Sequence, residues 1–222
     1  MTVPSVPIQA VLFDFGGVFI DSPFAAVNIA AGRLGIDPAV LLEVVFGSYD
    51  EDTDHPWHRL ERGELTFSDA RRSITDLAVV AGLGELDPFT VLAELAGQGL
   101  VVRDFMLDAV RRYRDACLKT GIVTNNVAEF GDSWRGLMAL DELFDDVVDS
   151  SSVHVRKPDA RIYSLACERL DVAPAAVVFI DDHEGNAAGA RRAGLVAVCC
   201  GYSVETALAA VTELDRLALP RS

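Results

Sequence analysis

The stretch Ala10-Val11-Leu12-Phe13-Asp14-Phe15-Gly16-Gly17-Val18-Phe19 decides the fold. An apolar run leads into a single carboxylate and two glycines, a pattern typical of a buried strand that ends in a tight loop. Asp14 is then expected at the carboxyl end of that strand, where open α/β sheets bind their ligands. Taken alone, the segment fits equally well an N-terminal strand whose Asp only caps a turn.

Three later segments bring further polar groups to expected strand ends or to a nearby loop. Ile122-Val123 is followed by Thr124-Asn125-Asn126, Arg156-Lys157-Pro158-Asp159 forms a basic loop, and the apolar residues 175–180 end in Asp181-Asp182. A continuously apolar run is expected of a central parallel strand that is covered on both faces. Each polar group alone can be a turn or cap residue. Together they bring a hydroxyl, an ammonium and several carboxylates to one edge of a sheet.

Helical signals dominate residues 21–100, between the Asp14 segment and Ile122-Val123. Asp37-Pro38 and Thr66-Phe67 each precede apolar residues at helical spacing, and another helix is expected after Asp87-Pro88. No alternation typical of strands occurs there. Residues 21–100 are therefore predicted to be a helical insertion.

Helices and strands alternate in the rest of the chain. A helix is expected around residues 134–140 and a strand near residues 144–148, before the apolar strand that ends at Asp181. This alternation predicts an α/β fold with a doubly wound parallel, Rossmann-like sheet core. Residues 1–20 and 101–222 would form that core, and residues 21–100 would form a helical cap on it.

Composition limits the classes of function. The chain has 222 residues and a formal net charge of −15, which argues against nucleic acid or an anionic membrane as its main partner. Phosphate chemistry would then need a local positive centre from Lys, Arg or a metal ion. Residues 1–7 have no basic region and no cleavable apolar block, and no apolar run is long enough to span a bilayer, so we expect a cytoplasmic protein.

The cysteines follow neither metal-ligand nor redox-motif spacing and occur in apolar surroundings. We expect all four to be buried and reduced, with no role in catalysis. They are Cys117, Cys167, Cys199 and Cys200.

Four segments, in order, resemble the motifs of the haloacid dehalogenase (HAD) superfamily. They are residues 13–18, 122–126, 156–163 and 179–186. One such segment would be weak evidence, whereas four in order, separated by plausible βα units, form a specific pattern. The helical insertion is similar in position and length to the cap of that superfamily's phosphatases, including those resembling the amino-terminal phosphatase domain of soluble epoxide hydrolase.

The resemblance implies a magnesium-dependent phosphatase that acts on a small phosphorylated metabolite. Asp14 would attack phosphorus and form an aspartyl-phosphate, which water then hydrolyses. Lys157 would neutralise Asp14 and the transferring group. Thr124 and Asn125, with neighbouring backbone N–H groups, would hold the phosphoryl oxygens.

The resemblance also implies a set of magnesium ligands. Asp14, the backbone carbonyl of Gly16 and Asp182 would bind Mg²⁺ directly, because this ion prefers a few carboxylates and keeps several waters. Asp181 would stand behind the direct ligands, and Asn186 would support this end of the site.

Gly16 departs from the pattern of the superfamily's phosphatases. Many of them have a second Asp at this position, which protonates the leaving group, and such assistance is worth about 10²–10⁴-fold. We therefore expect slow turnover or a preference for good leaving groups, unless the cap supplies a proton donor. The candidates are Asp21, Glu51, Asp52, Asp54 and His55, although acidic clusters of this kind are more often solvated surface.

Two other functions stay open. Without the general acid, an aspartyl-phosphate on Asp14 would persist, so the chain could bind a phosphorylated ligand, or be phosphorylated, and signal through the position of its cap. A 2-haloacid dehalogenase would also use an Asp nucleophile but needs no metal. The Asp181-Asp182 pair disfavours it, because two carboxylates near a nucleophilic carboxylate need a cation.

The sequence does not name the substrate, and we expect a monomer or a homodimer.

Overall fold

A parallel sheet of five described strands forms the centre of the computed structural model, which describes residues 6–84, 87, 101–131 and 134–219. The strands are β1 (Ala10–Phe13), β2 (Lys119–Thr124), β3 (Asp146–Asp149), β4 (Val177–Asp181) and β5 (Val196–Cys199), and their order in the sheet is β3-β2-β1-β4-β5. Every residue of β1 and β4 is buried, as their unbroken apolar sequences predict.

The described helices are, in chain order, α1 (Pro23–Leu34), α2 (Pro38–Phe46), α3 (Pro56–Glu61), α4 (Phe67–Val80), α5 (Asp104–Asp115), α6 (Leu140–Leu143), α7 (Ser150–Val153), α8 (Ala160–Arg169), α9 (Glu184–Arg192) and α10 (Val204–Ala218). None of these helices is both long enough and apolar enough to cross a membrane. The helix that we expect after Asp87-Pro88 lies outside the described residues.

Helices cover both faces of the sheet. Val11 and Phe13 belong to a core cluster that includes residues of α5 and α10, whereas Ala10 and Leu12 belong to a second cluster with residues of α8 and α9. Successive residues of a strand point to opposite faces, so β1 contributes to both clusters. The predicted doubly wound α/β architecture is therefore confirmed.

The helices α1 to α4, which we call the cap helices, have an apolar cluster of their own. Phe24, Val45, Leu60 and Ile74 are among its buried residues, one from each helix. Side chains at the N-caps fix where these helices begin: Ser22, Asp37, His55 and Thr66 each accept a hydrogen bond from a backbone N–H in the first turn. The division into a core and a cap of residues 21–100 stays a prediction.

The segment before β3 differs from its prediction. Residues 135–137 form a 3₁₀ turn and Leu140–Leu143 the short helix α6, in place of one helix over residues 134–140. Gly136 lowers helix propensity, and Met138 has extended backbone angles, with φ −149° and ψ 161°. The strand begins at Asp146, two residues later than expected.

One cysteine also differs from its prediction. Cys167 and Cys200 are buried and Cys199 is half-buried, but Cys117 is exposed. Cys117 has φ 61° in the turn between α5 and β2, where the chain reverses direction. Its side chain therefore lies at the surface and not on the buried face of α5.

Candidate active site

The register of the sheet places Asp14 beside Asp181. Phe13 pairs with Ile180 of β4, and the backbone N–H of Asp14 donates to the carbonyl of Ile180 at 2.8 Å. Each carboxylate thus follows the same row of paired residues at the carboxyl edge of the sheet. Both side chains are buried, Asp14 at 7% exposure and Asp181 at 0%.

Lys157 joins these two carboxylates. Its Nζ lies 2.7 Å from Asp14 Oδ1 and 2.7 Å from Asp181 Oδ2, and the side chain is fully buried. Burial lowers the pKa of Lys157, but Asp14 and Asp181 more than offset this, so its pKa is raised. The ammonium is therefore held in its charged form between two anions.

Asn125, directly after β2, holds the backbone of Lys157. Its Oδ1 accepts the Lys157 N–H at 2.8 Å, and its Nδ2 donates to the Lys157 carbonyl at 3.2 Å. The side chain that we expected to bind substrate is thus paired with the lysine loop, and its contact with substrate stays a prediction. Thr124 is buried at the end of β2, with its hydroxyl 3.5 Å from the Asn125 carbonyl.

The carboxylate of Asp181 has a full set of donors. Oδ1 accepts from the backbone N–H of His183 at 2.9 Å and from Asn186 Nδ2 at 3.1 Å. Oδ2 accepts from Lys157, and Asn186 Nδ2 lies 3.2 Å from it. Asn186 therefore holds the carboxylate of Asp181, and its role in supporting a metal stays a prediction.

Asp182 has the opposite surroundings. It is buried at 3% exposure, and within the described part of the chain its Oδ2 has no hydrogen-bond partner. The side chain of Ser22, before the first residue of α1, partly lowers the pKa of the same carboxyl group. Gly17, with φ 71°, packs so closely that a Cβ there would lie 2.0 Å from Asp182 Oδ2, so only glycine fits.

The cluster has more negative than positive charge. One oxygen atom from each of Asp14, Asp181 and Asp182 lies within 4.8 Å of the others, with Lys157 as the ammonium between two of them. Burial, partly offset by Lys157, raises the pKa of Asp14 to about 7, and burial together with Asp181 raises that of Asp182 well above its usual range. A bound cation would relieve this repulsion.

Arg103 and Ser22 lie beside the site, although no sequence pattern indicates it. Arg103 is buried, and its Nη1 donates to the carbonyl of Gly17 at 2.5 Å, which fixes the loop after Asp14. In the sequence it is one basic residue before a helix. For Ser22, the sequence predicts no more than an N-cap, because a proline follows it at the start of a helix. Gly16 has room for a side chain, since a Cβ there meets only Pro23 Cδ at 3.7 Å.

The five candidate proton donors of the cap lie in different surroundings. Glu51 and Asp54 are exposed, and Asp21 is exposed beside Arg103 at 3.3 Å. Asp52 is paired with Arg62. His55 accepts the Trp57 N–H through Nδ1 as an N-cap, and burial lowers its pKa to about 4. The role of each as a donor stays a prediction.

Comparison with known proteins gives the class of the chain. The haloacid dehalogenase-like hydrolase family matches residues 8–194, so the chain belongs to this family and is a hydrolase of that kind. It is 35% identical over 222 residues to phosphatase MT3486 of Mycobacterium tuberculosis (strain CDC 1551 / Oshkosh), with 95% of each chain covered.

A second relative and a solved structure extend this result. Bifunctional epoxide hydrolase 2 of Mus musculus is 27% identical over 224 residues, covering 95% of this chain and 39% of that protein. The chain spans 19–39% of the length of the mouse and rat relatives that it matches. A HAD family enzyme of Bacteroides thetaiotaomicron, solved as a magnesium complex, shares the fold, with a TM-score of 0.59, 18% identity, and coverage of 89% of this chain and 96% of that one.

Proposed function

We propose that the chain is a magnesium-dependent phosphatase that hydrolyses a small phosphomonoester through an aspartyl-phosphate on Asp14. The observation that carries the proposal is the cluster at the carboxyl edge of the sheet. Asp14, Asp181 and Asp182 approach one another within 4.8 Å, Lys157 bridges two of them, and Asp182 Oδ2 is left without a partner among the described residues.

The donor set fits a magnesium ion. Mg²⁺ prefers carboxylate and carbonyl oxygens, and a buried carboxylate oxygen with no partner needs one. Asp182 and Asp14 would hold the ion, together with the Gly16 carbonyl. Asp181 would stay behind them, because its oxygens already accept from Lys157, Asn186 and a backbone N–H. When bound, the ion would neutralise charge on the carboxylates and on the phosphoryl oxygens.

Asp14 would act as the nucleophile. Its Oδ1 is held by Lys157 and by the Phe15 N–H at 2.7 Å, which leaves Oδ2 for attack on phosphorus. The new Asp14–phosphorus bond forms as the bond to the leaving oxygen breaks. Water then hydrolyses the aspartyl-phosphate, which releases inorganic phosphate and restores Asp14. Lys157 would favour the ionised form of this carboxylate against the effect of burial, and it would offset the charge of the transferring group.

Gly16 sets the expected substrate preference. Because it has no side chain, it cannot protonate the leaving oxygen, so esters with good leaving groups should react faster. A small phosphorylated metabolite remains our proposed substrate class.

Phosphate release from a panel of phosphomonoesters tests the proposal, with MgCl₂ and with EDTA, for wild type and Asp14→Asn. We expect turnover by wild type with Mg²⁺ only, and none by Asp14→Asn. Glu43→Gln, which changes an exposed carboxylate on α2 that is not among the candidate proton donors, is the matched control and should keep wild-type turnover. Turnover that persists in Asp14→Asn would contradict the proposal.

The same proteins separate the two alternatives. Labelling by acetyl phosphate that stops at one phosphate per chain, without turnover of any ester, would favour a phosphorylated regulatory domain. Chloride release from a 2-haloacid that is insensitive to EDTA would favour a dehalogenase.

A further inference from the structure

We propose that Glu61, on cap helix α3, positions Lys157 through Arg156, so that seating of the cap on the core sets the lysine that neutralises Asp14. The proposal rests on the proposed function for its catalytic consequence only. It goes beyond that function because it makes a cap carboxylate, remote from the reacting atoms, a positioning residue.

Arg156 is a core residue that is surrounded by cap residues. It is fully buried, directly before Lys157 in the chain, and its Nε donates to Glu61 Oε2 at 2.7 Å. Its guanidinium carbon lies 4.6 Å above the ring of Tyr49, and its Nη1 is 3.5 Å from Asp52 Oδ1. All three partners belong to the predicted cap, so Arg156 is where that segment contacts the lysine loop.

The carboxylate of Glu61 is itself fixed by the cap. Its Oε1 accepts from the Tyr49 hydroxyl at 2.5 Å and from Trp57 Nε1 at 2.8 Å, and the side chain is almost fully buried. A buried ion pair adds little net stability, because desolvation opposes the attraction. Its geometry is nevertheless specific, since each oxygen of Glu61 has a fixed set of donors.

Backbone contacts tie the same end of α3 to the core. Ser150 Oγ donates to the Glu61 carbonyl at 2.6 Å, and His154 Nδ1 lies 2.9 Å from the Arg62 carbonyl. Ser150 Oγ also accepts the backbone N–H of Asn126 at 3.0 Å, in the loop after β2. The end of α3 is therefore seated on the loop that leads into Lys157.

Lys157 lies between the Arg156–Glu61 pair and Asn125. One peptide unit separates it from Arg156, and Asn125 bonds to its backbone N–H and carbonyl. Because Nζ bridges two carboxylates at 2.7 Å each, a shift of Arg156 should be transmitted to both bonds. A misplacement of about 1 Å in a catalytic constellation can cost about 10²-fold in rate.

The first test compares Glu61→Gln with Glu64→Gln. Glu64 lies just beyond α3 and pairs with Arg59 at 3.2 Å and Arg62 at 2.6 Å, so it is a cap carboxylate with no contact to Arg156 among its described partners. For Glu61→Gln we expect kcat to fall by about 10- to 100-fold with KM changed less than about 3-fold. Glu64→Gln should leave kcat and KM close to wild type.

The second readout is hydrogen exchange, which does not depend on turnover. In Glu61→Gln, peptides covering residues 150–160 should exchange faster, together with those covering 56–64. In Glu64→Gln any increase should be confined to residues 56–64. Arg156→Lys, which keeps the cation and shortens its reach, is the second variant if Glu61→Gln does not fold, and it should show the same kcat loss and the same exchange pattern.

The possible results are distinct. If exchange increases only over 56–64, or if kcat falls without faster exchange over 150–160, the inference is wrong. Faster exchange over 150–160 with unchanged kcat in an active enzyme also overturns it. If wild type hydrolyses no ester, the proposed function fails instead, and the exchange pattern alone decides whether Glu61 positions the lysine loop.

Discussion

Asp182→Asn should stabilise the metal-free protein, because three carboxylates repel one another in the site and only one ammonium of the described chain, that of Lys157, lies among them. Each carboxylate pair within 4.8 Å costs about 3.5 kcal/mol at an effective dielectric constant of about 20. Asp182 faces two such carboxylates, and attraction to Lys157 offsets about one of these repulsions, which leaves roughly 3.5 kcal/mol. Protonation relieves part of this in wild type, so we expect a gain of about 2 kcal/mol, or about 4–8 °C in Tm.

The assay is thermal unfolding of wild type and Asp182→Asn at pH 8, in EDTA and in MgCl₂. Wild type should gain about 2.7 kcal/mol from Mg²⁺ at one hundred times its Kd, whereas the variant should gain little. Glu51→Gln, an exposed carboxylate, is the control and should respond to Mg²⁺ like wild type.

The pH dependence gives an independent check with a definite sign. Burial and Asp181 raise the pKa of Asp182 in the folded state, so the free energy of unfolding falls as pH rises through that pKa and is kept at lower pH. The advantage of Asp182→Asn should therefore shrink as the pH is lowered from 8 and wild type takes up the proton. A variant that is less stable than wild type in EDTA at pH 8, and that still responds to Mg²⁺, would refute this reasoning.

Two glycine substitutions test the loop after Asp14. Gly17→Ala should lower the free energy of unfolding, measured in urea, by about 2 kcal/mol or more, because Gly17 has a positive φ and a Cβ there would collide with Asp182. Gly32→Ala is the control. It lies in α1, where an added Cβ meets no atom within 4 Å, so it should raise the free energy of unfolding by up to about 1 kcal/mol. Gly16→Asp should fold, since a Cβ there meets only Pro23 Cδ at 3.7 Å, and it should speed hydrolysis of esters with poor leaving groups by about 10²-fold or more. Unchanged hydrolysis of those esters would contradict our account of Gly16.

The sheet was predictable because each strand carries its own signal. The apolar sequence of β4 and the run that leads into Asp14 both predict strands covered on two faces, and both strands are buried throughout. The 3₁₀ turn at residues 135–137 was not predictable in the same way, because a few apolar residues at irregular spacing fit a short helix equally well.

The contacts between residues that are far apart in the sequence could not be predicted. Arg156 and Glu61 are 95 positions apart, and neither has a pattern that predicts a partner. Arg103 bonds to the carbonyl of Gly17 across 86 positions, a contact that depends on the tertiary fold alone. Burial of a charged side chain is set by what the fold brings over it, and a single sequence does not contain that information.

The two neighbouring carboxylates at the end of β4 show how far local sequence goes. Their position at the carboxyl edge of a parallel sheet follows from the apolar run before them. Their surroundings differ. Asp181 is the last residue of the strand and accepts from Lys157 and Asn186, whereas Asp182 lies against Gly17 and has one oxygen without a partner among the residues that the structure describes. The resemblance implies that Asp182 is the direct magnesium ligand, and its unfilled acceptor supports that proposal. Asp181→Asn should accordingly change the position of the Lys157 ammonium more than it weakens the binding of Mg²⁺, because the lysine would lose one of its two anionic partners.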